Sequence, residues 1–362
     1  MKASVFCITD SRNYGDFLQT FLTAKLLKDA GFDVTIRMRS LLYYGAMSVM
    51  SEKIPIKGFP KFSFLEEKRD LSIVAGHTTG FGTQEACIET YSKALKLGKV
   101  SLIFPLSISK IELHRTYDAL WKKLRQFDII YTRGLYSYTL LESKGIYDID
   151  VALDTGFALR KVYPDVKANK EGDSLRVAIV PRKDFFYEYE WHGHYVMYLR
   201  ALREIFKFLE KYDAKITLVP FSFGYATADE SAVQDLIAFM GFENNVLKTF
   251  LYKVEDLYKK FSEFDLVITS RLHAGIMAMS AGVPAIIVLP RDEQKTIEVL
   301  DYLGLREDYY FEEMLYLEDL PRKVEYIVEN LSEVKRAVND AIKSKIDDVL
   351  KPFNWIDSLV NV

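Results

Sequence analysis

Arg271 and His273, one residue apart, have the chemistry of an anion site. They lie in Leu266-Val-Ile-Thr-Ser-Arg-Leu-His-Ala-Gly-Ile-Met-Ala-Met-Ser-Ala-Gly-Val-Pro-Ala-Ile-Ile-Val288. Leu266 to Thr269 is a short apolar run, as a strand buried on both faces requires. Ser270 occupies a helix N-cap position, Gly282 with Pro284 is a helix stop, and Ala285 to Leu289 is a second buried strand. Arg271 and His273 then take the first and third helical positions, at the positive end of the helix dipole, where each cation costs about 0.3–1 kcal/mol. A bound anion reverses that sign, because free backbone N–H groups, a guanidinium and an imidazole then face one negative charge. An arginine paired with a nearby carboxylate and a histidine satisfied in the core explain the same spacing equally well, so the local pattern leaves both readings open.

Other residues with chemical potential fall at similar places. Asn13, Gly15 and Asp16 stand in the polar loop after a first strand, Ala3 to Ile8, and before a helix over about Phe17 to Ala30. The C-terminal edge of a parallel strand is where open sheets place ligands; an Asx turn and helix cap account for Asp16 as well. His77 lies in Gly76-His-Thr-Thr-Gly-Phe-Gly-Thr83, which lacks both the Lys-Ser/Thr of a phosphate loop and the spacing of a dinucleotide fingerprint. It either reaches a substrate or serves a turn. Arg182 follows the strand Arg176 to Val180. His192 and His194 form an H-x-H pair, but no carboxylate- or cysteine-rich stretch stands near them, so no metal site is expected.

The elements that position these residues alternate strand and helix throughout. Strands are expected at Val34 to Met38, Leu71 to Ala75, Val100 to Phe104, Asp128 to Tyr131 and Ile149 to Leu153, with helices over about Gln84 to Lys96, Ser109 to Gln126 and Leu135 to Lys144. The second half repeats this: strands at Lys215 to Pro220 and Val246 to Thr249, helices to about Tyr212, over Thr227 to Met240, Lys253 to Glu263, Asp292 to Gly304 and Asp319 to Leu350. Such alternation predicts α/β architecture with doubly wound parallel sheets. Tyr163 to Asp173 is polar and aperiodic, a linker, which divides the chain into domains over 1–165 and 174–350. A tail over 351–362 is expected to pack back on the first. Leu41 to Lys68 reads as an irregular insertion, a lid or acceptor-binding loop.

Composition narrows the function classes. At 362 residues, two domains are the natural expectation. A net charge of −3 gives no basic footprint for nucleic acid. The 2 cysteines, Cys7 and Cys87, form no disulfide framework, which suits a reducing compartment. No apolar run reaches the ~18 residues of a membrane span, and Met1 to Asp10 reads as a strand rather than a secretory signal. Cytoplasm is the expected location.

Several segments together resemble the polysaccharide pyruvyl transferase family: Asn13-Tyr-Gly-Asp16, Arg133 with Ser137 and Lys144-Gly145, Asp154-Thr-Gly-Phe157, Arg182, Arg271-Leu-His273 with Gly282-Val-Pro284, and Lys295 before Leu300-Asp-Tyr-Leu-Gly304. The order is collinear from about residue 13 to 304, and the Arg-Leu-His motif is its most specific part. The resemblance implies two Rossmann-like domains facing a cleft, the GT-B arrangement, with phosphoenolpyruvate as donor on the C-terminal domain. It implies a saccharide hydroxyl pair as acceptor on the N-terminal one, joined as a cyclic pyruvate ketal with release of phosphate. Phosphoenolpyruvate is then a co-substrate, and no cofactor is implied. Carried over, Arg182 and Arg271 hold the phosphate and carboxylate, with Leu272 and His273 beside them. His273 is the expected general acid. The base for the sugar hydroxyl is expected from the first domain, where Asp16 is the first candidate and Asp154 the second; Asn13, Gly15 and His77 complete the acceptor side. A lipid-linked acceptor would bring the protein to the inner membrane face.

Three departures all fall in the first domain: Gly76-His77 replaces a glycine triplet, Gly134 an acidic residue and Thr155 a proline. Two other readings share the outline. One is a GT-B glycosyltransferase or epimerase using a nucleotide sugar, for which Glu293 is the available acid to grip a ribose. The other is a non-catalytic sugar- or anion-binding relative, against which the intact Arg182, Arg271 and His273 argue.

Overall fold

The computed structural model describes residues 1–7, 13–39, 53–59, 67–79, 84–108, 118–168, 174–183, 192–222, 229–240, 245–247, 249, 252–289, 293–312 and 319–360. Long apolar runs with β-branched residues form two sheets, each wholly parallel. The first contains β1 (Lys2–Cys7), β2 (Asp33–Met38), β3 (Ile56–Gly58), β4 (Arg69–Thr79), β5 (Gly98–Ile108), β6 (Ile129–Thr132) and β7 (Ile149–Val151), in the order 3-2-1-4-5-6-7. The second contains β8 (Arg176–Val180), β9 (Lys215–Leu218), β10 (Asn245–Val246), β11 (Leu266–Thr269), β12 (Ala285–Leu289) and β13 (Tyr310–Glu312), in the order 10-9-8-11-12-13. Each order reverses beside its first strand, so the switch points lie between β1 and β4 and between β8 and β11. Open sheets form their ligand crevices at such points, outside the strands' C-terminal ends.

The helices used below are α1 (Tyr14–Asp29), α2 (Gln84–Leu97), α3 (Asp118–Leu124), α4 (Leu135–Ser143), α5 (Leu159–Val162), α6 (His192–Glu210), α7 (Asp229–Met240), α8 (Val254–Ser262), α9 (Leu272–Ser280), α10 (Gln294–Leu303), α11 (Arg306–Tyr309), α12 (Leu320–Glu329), α13 (Leu331–Lys345) and α14 (Lys351–Val360). Helix α9 is buried along all nine of its residues. It packs on β11 and β12 on one side, and on α1 and the 3₁₀ turn Thr155–Ala158 of the first unit on another. Its small residues permit this: a Cβ at Gly275 would stand 2.9 Å from Ile287 Cδ1. The seam between the units is further joined by Tyr14 N donating to Phe221 O at 3.0 Å and by an antiparallel bridge between Asn13 and Ser222. Helix α14 lies on the first sheet, where Phe353 meets Phe104 edge-on and Lys351 Nζ donates to Val151 O at 3.1 Å.

Strands β8, β11 and β12 have the limits read from the sequence. Strand β4 runs on to Thr79, so Gly76 and His77 belong to a strand and not to a turn; β5, equally long, supplies the pairing partner. The helix expected over Asp319 to Leu350 is divided at Asn330 and ends in a 3₁₀ turn, Ile346–Leu350. Of the insertion read over Leu41 to Lys68 only 53–59, with β3, and 67–68 lie within the described residues, and of the helix read over Ser109 to Gln126 only 118–126, helical over Asp118–Leu124. Among the described residues no helix is long and apolar enough to cross a membrane.

Candidate functional site

The second unit supplies one wall of a cleft from the ends of β8 and β11. The start of α9 differs from the sequence expectation by one residue: Arg271, in extended conformation (φ −126°, ψ 115°), is the N-cap residue, so His273 takes the second helical position. The reason is local competition for hydroxyls. Ser270 Oγ donates to Tyr198 OH at 2.9 Å, while Thr269 Oγ1 accepts from Arg271 N and donates to Arg271 O. The N–H groups of Leu272 and His273 open the helix and have no intrahelical acceptor.

The guanidinium of Arg271 forks onto Asp229, the first residue of α7. Its Nε lies 3.2 and 3.1 Å from the two carboxylate oxygens, and its Nη2 lies 2.5 Å from Oδ1. Asp229 is fully buried and also accepts from Phe221 N at 3.0 Å. Sequence reasoning missed Asp229. Its signal, an acid at a helix start, is already explained by the dipole.

The first unit forms the opposite wall and the floor. Asn13 caps α1, accepting from Gly15 N at 3.0 Å. The His273 ring lies directly on Gly15: a Cβ there would stand 2.4 Å from Nδ1. Behind the ring, Nε2 is buried without a hydrogen-bond partner among the described residues, and Asp154 Oδ2 is 3.6 Å away, beyond hydrogen-bond reach.

Asp154 is wholly buried and accepts from Gln19 Nε2 at 2.7 Å, Arg133 Nε at 2.6 Å and Gly156 N at 2.7 Å. Burial alone would raise its pKa. The charges of Arg133 and His273 and the hydrogen bonds outweigh that and hold the carboxyl well below the usual range. Asp154 therefore lies behind His273 and is not among the residues that line the cleft, where Asn13, Arg182 and His273 stand.

The cleft is lined by Asn13, Arg182, Ser270, Arg271, Leu272, His273, Glu293 and Lys295. The structure thus brings together Asn13, Arg182, Arg271, Leu272 and His273, singled out in the sequence for the transfer reaction, with Glu293, named there for the nucleotide-sugar reading and paired with Lys295 at 3.0 Å. Asp16 is half-buried in the first turn of α1, beside Gly76 at the first switch point. The backbone of His77 pairs with Leu106, and its side chain lies outside the described residues, as do those of His192 and His194.

A further polar contact crosses the seam. Glu298 of α10 accepts from Ser137 N at 2.6 Å and Ser137 Oγ at 3.0 Å. Helix α4 has Gly134 at its N-cap and no side-chain cap of its own, so Glu298 of the other unit serves in that place. A Cβ at 134 would stand 2.7 Å from Glu298 Cβ, so the close approach of α10 accounts for glycine there. Burial raises the pKa of Glu298 against the lowering effect of Ser137.

The paired Rossmann-like sheets and the cleft between them define a GT-B-like protein. Three solved structures share the fold. S. aureus MnaA, solved with UDP, is 13% identical with a TM-score of 0.66, covering 99% of this chain and 97% of that one. The UDP-GlcNAc 2-epimerase of Neisseria meningitidis, bound to UDP-GlcNAc, is 11% identical with a TM-score of 0.58, covering 97% and 100%. A glycosyltransferase of Rickettsia africae is 13% identical with a TM-score of 0.56, covering 98% and 97%. No curated protein matches the sequence at a significant level. The chain belongs to the polysaccharide pyruvyl transferase family, whose sequence model matches residues 13–293.

Proposed function

We propose that the protein transfers the pyruvate unit of phosphoenolpyruvate to two hydroxyls of a saccharide, giving a cyclic ketal and inorganic phosphate. The observation that carries this reading is the family match over residues that build one cleft, with Arg182, Arg271, the start of α9 and His273 on a single wall. Phosphoenolpyruvate has a phosphate and a carboxylate a few ångströms apart, which forked guanidiniums and a helix N-terminus suit. Asp229 holds the Arg271 fork in place before the donor arrives.

The chemistry moves only protons and phosphate. His273 gives a proton to the enol methylene, leaving an oxocarbenium-like centre at C2. One sugar hydroxyl adds there and loses its proton to a base, with Asp16 on the first-unit side the candidate. Phosphate then leaves with the electrons of its bond to C2, and the second hydroxyl adds to C2 to close the ring, its proton passing to the departing phosphate. Phosphoenolpyruvate is consumed as a co-substrate, and a lipid-linked acceptor would bring the cleft to the inner face of the membrane.

One observation favours a second reading, an enzyme of nucleotide sugars: Glu293 lines the cleft, and its Oε2 is buried without a partner among the described residues, as a ribose hydroxyl would require. Incubation with phosphoenolpyruvate and a panel of galactosides, glucosides and N-acetylmannosamine glycosides separates the two. Phosphate release with a matching gain in product mass is expected. No release with any acceptor, together with thermal stabilisation by UDP-sugars, would favour the second reading.

A further inference from the structure

We infer that Gly15, Gly156 and Asp154 of the first unit are positioning residues that form a slot for the His273 ring, so that the imidazole carried by the second unit is aimed only when the two units are seated. The slot is a matter of geometry, and it rests on the proposed reaction only for its kinetic readout.

The ring is 6% exposed. On one side a Cβ at Gly15 would stand 2.4 Å from Nδ1, 2.6 Å from Cγ and 2.7 Å from Cβ of His273. Rotating the ring about χ2 relieves the first of these contacts but not the last. Rotation about χ1 leaves Cβ where it is, so a methyl group at 15 pushes α1 and the start of α9 apart and carries the ring away from the slot. On the other side a Cβ at Gly156 would meet Ile276 Cγ2 at 2.8 Å and approach His273 Cδ2 at 3.7 Å.

The floor is Asp154, 3.6 Å from Nε2. Gln19, Arg133 and the Gly156 N–H fix its two oxygens, so the carboxylate cannot follow the ring if the ring moves. The same turn of α1 that carries Gly15 is pinned to the second unit by the Tyr14–Phe221 hydrogen bond and the Asn13–Ser222 bridge. Those contacts set the slot in register with α9.

Gly15→Ala tests the inference. Its crystal structure is expected to show the His273 ring displaced. A displacement of about 1 Å is expected to lower kcat for phosphate release roughly 100-fold, with KM for phosphoenolpyruvate within about threefold of wild type, because Arg182 and the N–H groups at the start of α9 belong to one unit and stay together. An unmoved ring would overturn the inference, and so would turnover within threefold of wild type or a KM that rises as far as kcat falls. If the wild-type protein releases no phosphate from phosphoenolpyruvate, the proposed reaction falls, and the slot is still decided by the ring position. Should Gly15→Ala fail to fold, Asp154→Asn, which keeps the side chain's shape, takes its place. Reoriented imidazole and lowered kcat are then expected, and a wild-type ring with wild-type kcat would overturn the inference.

Discussion

Arg271 meets Asp229 through its Nε and Nη2 with both side chains buried, and this governs what a substitution at either position does. Asp229→Ala breaks a buried ion pair by removing one partner, for which a loss of about 3–5 kcal/mol is expected in urea unfolding. Arg271→Ala breaks the same pair from the other side, so a loss of donor binding there would mix stability with recognition. Arg182→Ala is the cleaner probe of the donor site: losing charge-assisted hydrogen bonds worth about 1.5–3 kcal/mol is expected to weaken phosphoenolpyruvate binding roughly 10- to 150-fold by calorimetry. His273→Ala is expected to spare that binding and remove turnover, and equal loss of affinity in the two variants would reject His273 as the acid. At this scale the sequence shows what is contiguous. Arg271 and His273 announce themselves because strand, turn and helix follow one another without a break. Asp229, 42 residues earlier, and Gln19, 135 residues before Asp154, have no such sign. A pair formed across loops imposes no periodicity on the chain.

Helix α4 depends on a residue it does not contain. Its first turn has no side-chain cap, and Ser137 N reaches Glu298 on the other unit. Glu298→Ala is expected to cost about 1–3 kcal/mol, since the buried Ser137 donors lose their acceptor, whereas Glu298→Gln keeps an acceptor and costs less; equal losses in thermal unfolding would show that the capping contact is not what matters. The cap was hidden in the sequence for the same reason that Ser270 misled it. Capping preference describes a hydroxyl or carboxylate free to turn to the nearest N–H, and tertiary partners remove that freedom: Tyr198 takes Ser270, and α10 brings Glu298. The buried strands were legible because a parallel sheet covered on both faces needs uninterrupted apolar residues. The edge strands β3 and β13, three residues each, are too short for any period to show.

Across the whole molecule, the seam holds two buried carboxylates whose pKa values are displaced in opposite directions, and each makes stability depend on pH. Asp154 in the folded protein lies well below the ordinary carboxyl value. The unfolded chain, with an Asp pKa of about 3.9, takes up that proton first as pH falls. The stability Asp154 contributes is thus complete above about pH 4 and is lost as acid drives the pH down towards its folded value. Glu298 is displaced upward by burial. Its contribution is complete below the unfolded Glu value of about 4.3 and is lost as pH rises through the higher folded value, where a buried charge must form. Two neutral variants separate these effects. Asp154→Asn is expected to be less stable than wild type at neutral pH, with the deficit shrinking as pH falls below about 4. Glu298→Gln is expected to gain on wild type as pH rises from about 4 to 7, because it never ionises. Urea midpoints from about pH 2 to 7 check both, and differences that do not change with pH would mean that neither carboxylate titrates as its place in the seam requires.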